Sequence, residues 1–203
     1  MDRDPPEYNS VQKALKGIVA DNKRAAAIIN RLRALAKKGA MRWEPIEINV
    51  LIHDVMSLVG SEIILRNASI TLDLHPGIPV VQGDAIQVQQ VLINLLTNAL
   101  DATDDQPIDA RTITLSTRFE KSRGIIVSIS DSGGGIPLDT FEDLFSPFHT
   151  TKSTGMGLGL SVCKSILQAH GGKIRAENNP GRGAIFSITL PTGSRAVKTD
   201  YRS

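Results

Sequence analysis

Apolar residues recur at helical spacing from Val11 to Lys38. Val11, Leu15, Ile18, Ala25, Ile28, Ile29, Leu32 and Leu35 form one stripe, Lys13, Lys16, Lys23, Arg24, Arg31 and Arg33 occupy the other face, and Gly39 offers a stop. Such a helix must bury its stripe, either on the rest of the chain or in a bundle with a partner helix. Trp43, Glu44 and Pro45 read as a connector. From Ile46 the pattern predicts a helix capped by Asn49 and running to about Arg66, then an alternating strand over Ser69 to Leu74 and a turn at His75 to Pro79. Asp84 is placed to cap a long helix from Ala85 to about Thr103, with Ile86, Val91, Leu92, Leu95, Leu96 and Leu100 as its apolar set. Strands follow over Thr112 to Phe119 and Gly124 to Ser130. Leu138 to Thr154 has no regular period and is longer than a usual connection, which makes it a lid candidate. A helix over Leu158 to Ala169 and strands over Lys173 to Glu177 and Ala184 to Leu190 complete the body, with "NPGRG" between the strands. The pattern predicts an α/β two-layer sandwich, a mixed sheet with helices on one face.

Composition narrows the classes. The 203 residues carry 41% hydrophobic and 22% charged side chains, enough apolar material for one core plus a helical arm. A net charge of +2 gives no support to a nucleic-acid partner. The single cysteine, Cys163, excludes an internal disulfide and fits a reducing compartment. The best candidate for a membrane span, Ile48 to Leu65, contains His53, Asp54 and Glu62, which argues against it. The residues after Met1 do not form a signal peptide, so the expected location is cytoplasmic, including the cytoplasmic part of a membrane-anchored parent.

Three stretches carry chemistry. In "NLLTNALDA", Asn94 to Ala102, the two asparagines lie one helical turn apart and share a face with Asp101. Amides among leucines are explained by a polar ligand, since an amide oxygen suits Mg²⁺, or by hydrogen bonding within a core. In "DSGGGIP", Asp131 to Pro137, a carboxylate that could accept from an exocyclic amine precedes glycines that admit a flat ligand; taken alone, it also reads as a capped turn. In "TKSTGMGLGLSVCKSIL", Thr151 to Leu167, alternating glycines open a helix, where N–H groups and the helix dipole favour phosphate. The lysine precedes the glycines, the reverse of a P-loop.

In order and spacing these stretches resemble the ATP-binding domain of sensor histidine kinases, within the superfamily that includes DNA gyrase B and mismatch-repair ATPases. "NLLTNALDA" resembles the N box, "DSGGGIP" the first glycine box, "LFSPFHTTKS" the phenylalanine box and lid, "GMGLGLSV" the second glycine box and "GRGAIFSITLP" the last. The match runs from about Val11 to Pro191. The resemblance implies the Bergerat-type fold, with residues 44–192 as the catalytic ATP-binding domain and 193–203 as a loose tail. Residues 1–43 resemble the second dimerisation helix, closest to nitrogen-regulation-type kinases.

The resemblance also implies a cofactor set of ATP or ADP with Mg²⁺, and a division of roles. Asn98, with Asn94 alongside, would hold the metal. Asp131 would read the adenine amine, with Gly133, Gly135 and Ile136 beside the base and Asp101 on the same helix face. Gly155, Gly157, Leu158, Gly159 and Leu160 would wrap the phosphates. Thr150, Thr151, Lys152 and Ser153 would reach the outer phosphates from the lid, with Phe145 and Phe148 as its anchors. Asn94 and Lys152 are the implied catalytic residues. Gyrase-like relatives typically carry glutamate at the position of Asn94, a base that activates water; asparagine cannot take that proton, so kinase is expected over hydrolase. The phosphoacceptor histidine of such kinases lies on a preceding helix. The histidines here are His53, His75, His149 and His170, none of them in the arm, and the His53-Asp54 pair falls inside the catalytic domain. The implied partners are a homodimer in the full kinase, an acceptor helix and a response-regulator receiver domain. The alternatives are a serine kinase of the anti-sigma-factor type and a non-catalytic ATP-sensing module.

Overall fold

The computed structural model describes residues 42–148 and 157–192. The expected helical arm, the lid residues His149 to Met156 and the tail lie outside the described residues.

Two sheets, three α-helices and two short 3-10 turns (Ile108–Ala110 and Leu138–Thr140) make up the regular structure of the described body. A small antiparallel pair joins β1 (Glu44–Ile46) to β3 (Val81–Gly83). The main sheet contains β2 (Ser69–Leu74), β4 (Thr112–Glu120), β5 (Gly124–Asp131), β6 (Lys173–Asn178) and β7 (Ala184–Leu190), in the order β2-β4-β5-β7-β6. β2 is parallel to β4 and every other pairing is antiparallel, so the sheet is mixed, as the sequence predicts. Helices α1 (Ile48–Leu65), α2 (Ala85–Thr103) and α3 (Gly159–Ala169) supply the second layer.

Strand alternation decides which face the helices cover. On β4 and β5, Ile113, Leu115, Ile125, Val127 and Ile129 are buried, and they share a core with Leu92, Leu95, Leu96 and Leu100 of α2, Ile52 and Val55 of α1 and Leu167 of α3. The intervening positions, Thr114, Ser116, Ser128, Ser130, Ser187 and Thr189, place hydroxyls on the other face. There the Ser128 and Ser187 hydroxyls meet across β5 and β7 at 2.8 Å. The antiparallel part of a sheet with one solvated face reads in this way. Asp131, the last residue of β5, keeps the inward parity and is thereby directed to the helix side.

α2 matches its predicted bounds, and the Asp84 carboxylate accepts the Gln87 N–H at 3.2 Å as its cap. α1 differs. Its N-cap is Glu47, without a side-chain bond, and Asn49 sits inside the first turn. The Asn49 amide is drawn instead to tertiary partners: it donates to the His75 carbonyl and accepts from the buried Thr117 hydroxyl, both at 3.0 Å. α1 is long and apolar enough to match a membrane span by length and composition alone, a match that a core helix also makes. Ile48, Leu51, Ile52, Val55 and Val59 form its buried side.

His170 joins the far ends of α2 and α3. Its Nε2 accepts the Asp84 N–H at 3.0 Å, which leaves the proton on Nδ1 to donate to the Ile166 carbonyl at 2.8 Å. The ring packs on Trp43, centroid to centroid 5.4 Å. This histidine is therefore a structural tie, while His53 stands exposed on α1.

Candidate nucleotide site

Asp131 is 4% exposed, and its two oxygens are not equivalent. Oδ1 accepts the backbone N–H groups of Gly133 (2.8 Å) and Ala184 (3.2 Å), whereas Oδ2 has no donor among the described residues. Nor is Oδ2 a sealed orphan: the Gln106 amide oxygen is the only unpartnered buried side-chain atom among the described residues. One oxygen anchors the loop and the other remains available to a donor. Burial pushes the carboxyl above its ordinary range, with the Gly133 and Ala184 N–H bonds opposing the shift.

The loop after Asp131 is drawn tightly against α2. A Cβ at Gly133 would lie 2.5 Å from the Ala102 carbonyl oxygen, and Gly135 adopts φ +81°, so both positions call for glycine. Ile136 is buried at the end of this turn.

Asn94 and Asn98 are half-buried on α2. The Asn94 Nδ2 points at the buried Cys163 Sγ on α3, 3.7 Å away, which leaves the Asn94 carbonyl oxygen without a partner among the described residues. Asp101 is turned toward α1: its Oδ1 lies 2.8 Å from Arg66, which also pairs with Glu62 (2.8 Å) and Asp104 (2.5 Å). Burial opposes the Arg66 charge, but the Glu62 hydrogen bond and the three carboxylates outweigh it and raise its pKa.

Gly157 (φ +66°) and Leu158 lead into α3, whose first residues are Gly159 and Leu160. Leu158 makes no side-chain cap, so the first-turn N–H groups of α3 are not consumed by one. Phe145 is half-buried with the Lys164 ammonium 6.0 Å from its ring centre, and Phe148 is exposed with φ +65°. Thr150, Thr151, Lys152, Ser153 and Gly155 fall outside the described residues. The described residues contain no cluster of three or more His, Cys, Asp or Glu side chains suited to a metal.

Sequence reasoning passed over Asn178 and Asn179, which hold the Asp131 loop from behind. Their only signal was a pair of amides in a Pro-Gly turn, which turn chemistry explains by itself.

The raised pKa of Asp131 has a consequence for stability. A carboxyl whose folded pKa exceeds its unfolded value favours folding below the unfolded pKa, and loses that contribution as pH rises through the folded value. The ionised group is thus a burden on the ligand-free domain at neutral pH. Asp131→Asn should raise the melting temperature of the ligand-free protein at pH 7. The gain should disappear as pH is lowered below the ordinary carboxylate range, and melting curves from pH 3.5 to 7.5 test it.

Residues 83–194 match the family described as histidine kinase-, DNA gyrase B-, and HSP90-like ATPase, and the chain belongs to that family. It is 34% identical to the sensor histidine kinase TmoS of Ectopseudomonas mendocina, over 93% of this chain and 19% of that one. It is 37% identical to the sensor protein FixL of Bradyrhizobium diazoefficiens, over 92% of this chain and 36% of that one. The chain therefore spans well under half the length of these curated relatives. Among solved structures, the catalytic domain of histidine kinase ThkA superposes with a TM-score of 0.66 at 35% identity, covering 74% of this chain and 96% of that one. A structure of ThkA in complex with the response regulator protein TrrA gives 0.74 at 30% identity, covering 93% and 53%. Within the family, the described body is the ATP-binding catalytic part of a histidine kinase.

Proposed function

We propose that this chain serves a sensor kinase that transfers the γ-phosphoryl group of ATP to a histidine, none of the four in this chain, for relay to a response-regulator aspartate. The observation that carries the reading is the half-engaged Asp131 carboxylate, one oxygen held by the backbone and the other open. In this proposal Oδ2 accepts from the adenine amine, and Gly133, Gly135 and Ile136 border the base. Gly155, Gly157 and the start of α3 at Leu158, Gly159 and Leu160 receive the phosphates, and Thr150, Thr151, Lys152 and Ser153 reach the outer ones. Phe148 closes with the lid. Asp101 acts from behind, through its Arg66 pair.

Magnesium fits the donors present. Two amide oxygens a helical turn apart, without a carboxylate cage, suit an ion that keeps water and phosphate oxygens as most of its ligands. Asn98 and Asn94 would hold it, and it would neutralise charge on the phosphates during transfer. Asn94 offers no base to water, so the γ-phosphoryl is left for another acceptor.

Residues 1–43 are proposed as the second dimerisation helix of a nitrogen-regulation-type kinase, acting in a cytoplasmic homodimer. Residues 44–192 are then the catalytic domain and 193–203 its tail. The ThkA complex with its response regulator supports a receiver-domain partner.

The test is phosphoryl transfer from labelled ATP. Alone, the chain should remain unlabelled and release phosphate slowly. Mixed with a helical hairpin bearing an acceptor histidine, it should produce acid-labile, base-stable label. Acid-stable label on serine, or brisk hydrolysis by the chain alone, would overturn the assignment.

A further inference from the structure

The β6–β7 hairpin meets the Asp131 loop through two adjacent asparagines whose amides both donate and accept. Asn178, the last residue of β6, pairs with both backbone polar groups of one residue: its Oδ1 accepts the Ile136 N–H at 2.7 Å and its Nδ2 donates to the Ile136 carbonyl at 2.9 Å. The side chain thereby imitates a neighbouring strand for a loop that has none. Asn179 holds the other end. Its Nδ2 donates to the Asp131 carbonyl at 2.9 Å and to the Ser130 hydroxyl at 3.0 Å, and its own backbone N–H closes the hairpin turn onto the Gly183 carbonyl at 2.9 Å. The next residue of the hairpin, Ala184, sends its N–H to Asp131 Oδ1.

These contacts span the loop from Ser130 to Ile136. Asn179 sets where the Asp131 main chain leaves β5, Ala184 sets the rotation of its carboxylate, and Asn178 fixes where the loop ends. Glycines make room for the approach: a Cβ at Gly135 would lie 3.0 Å from the Asn178 Oδ1, and one at Gly183 would overlap the Asp131 carbonyl. A turn needs neither amide for its own closure, since Asn179 closes it through the backbone. Apart from a long contact of Asn179 Nδ2 with the Ala184 carbonyl (3.5 Å), the side chains are spent on the neighbouring loop.

We infer that Asn178 and Asn179 are positioning residues for base selection: they clamp the glycine loop so that Asp131 Oδ2 meets an exocyclic amine at hydrogen-bond distance. The inference rests on the proposed adenine site and adds to it a second element, distant in sequence, that sets its selectivity. Loosening the clamp leaves phosphate binding at α3 in place and weakens the contact that separates an amino-purine from a keto-purine nucleotide.

The experiment titrates the full 203-residue chain with ADP and with IDP, which differ at the purine 6-position. Asn178→Ala and Asn179→Ala should each lower ADP affinity about 10-fold, the scale of one or two net hydrogen bonds, and change IDP affinity by less than about 2-fold. Asn178→Asp, which keeps the acceptor for the Ile136 N–H but sets an oxygen against the Ile136 carbonyl, should lose discrimination without loss of volume. It covers the case in which an alanine variant fails to fold. An unchanged ADP to IDP ratio in folded variants, with discrimination abolished by Asp131→Ala, would overturn the clamp and leave the adenine site standing. An unchanged ratio in Asp131→Ala would remove the site and the clamp together.

Discussion

Asp131→Asn should invert the base preference of the nucleotide site. Two backbone N–H groups converge on Oδ1, so an asparagine must keep its carbonyl oxygen there and place its NH₂ where Oδ2 stood. An adenine amine then meets a donor, while a 6-keto purine meets a partner. Losing a hydrogen bond to a charged acceptor is worth about 1.5–3 kcal/mol, or roughly 10- to 150-fold in ADP affinity. IDP should gain over the same substitution, and parallel titrations of both proteins with both nucleotides give the ratio directly. A variant that still prefers ADP would take Asp131 away from the base. Because the same substitution should stabilise the ligand-free fold at neutral pH, weakened binding cannot be put down to unfolding.

The second large effect is expected at Gly183. Its φ is +89°, and a Cβ there would overlap the Asp131 carbonyl and stand 3.1 Å from Oδ1. Gly181, two residues earlier in the same turn, also has positive φ (+112°), but a Cβ there meets nothing within 4 Å. The pair separates backbone strain from steric overlap. Gly181→Ala should cost about 1–3 kcal/mol from strain alone. Gly183→Ala should cost at least about 2 kcal/mol more, since backbone cannot yield as a flexible side chain does, and should also weaken ADP binding. Urea denaturation of both variants measures the difference. Equal losses would mean that contact with Asp131 is not what keeps residue 183 a glycine.

The elements that follow a strong local period were legible in the chain. α2 runs from Ala85 to Thr103 as expected because its apolar set repeats over about four turns and Asp84 caps it, although Ile86 of that set is exposed. β7 matches its expected span, and β4, β5 and β6 each run one residue beyond theirs, the uncertainty inherent in element ends. β1 and β3 were not legible. Each has three residues, too few to show a period, and each exists by virtue of a partner almost forty positions away, as in Glu44 with Gly83. Asn49 misled for a related reason: it has a capping side chain, but Thr117 and His75 compete for it and win.

The candidate site divides in the same way. Its residue types, their order and the motif spacing were set by the chain: paired asparagines on one helix face, an aspartate before three glycines, and glycines opening α3. Local chemistry alone accounts for that, because helical phase and turn preference act over a few residues. Tertiary structure decided which atom of each group is free. The hairpin and the glycine loop take Asp131 Oδ1 and leave Oδ2; Cys163 takes the nitrogen of Asn94 and leaves its oxygen; Arg66 turns Asp101 toward α1. Those assignments depend on strands and helices brought together from positions tens of residues apart, and the hydrogen bonds that make them exist only after the sheet has closed.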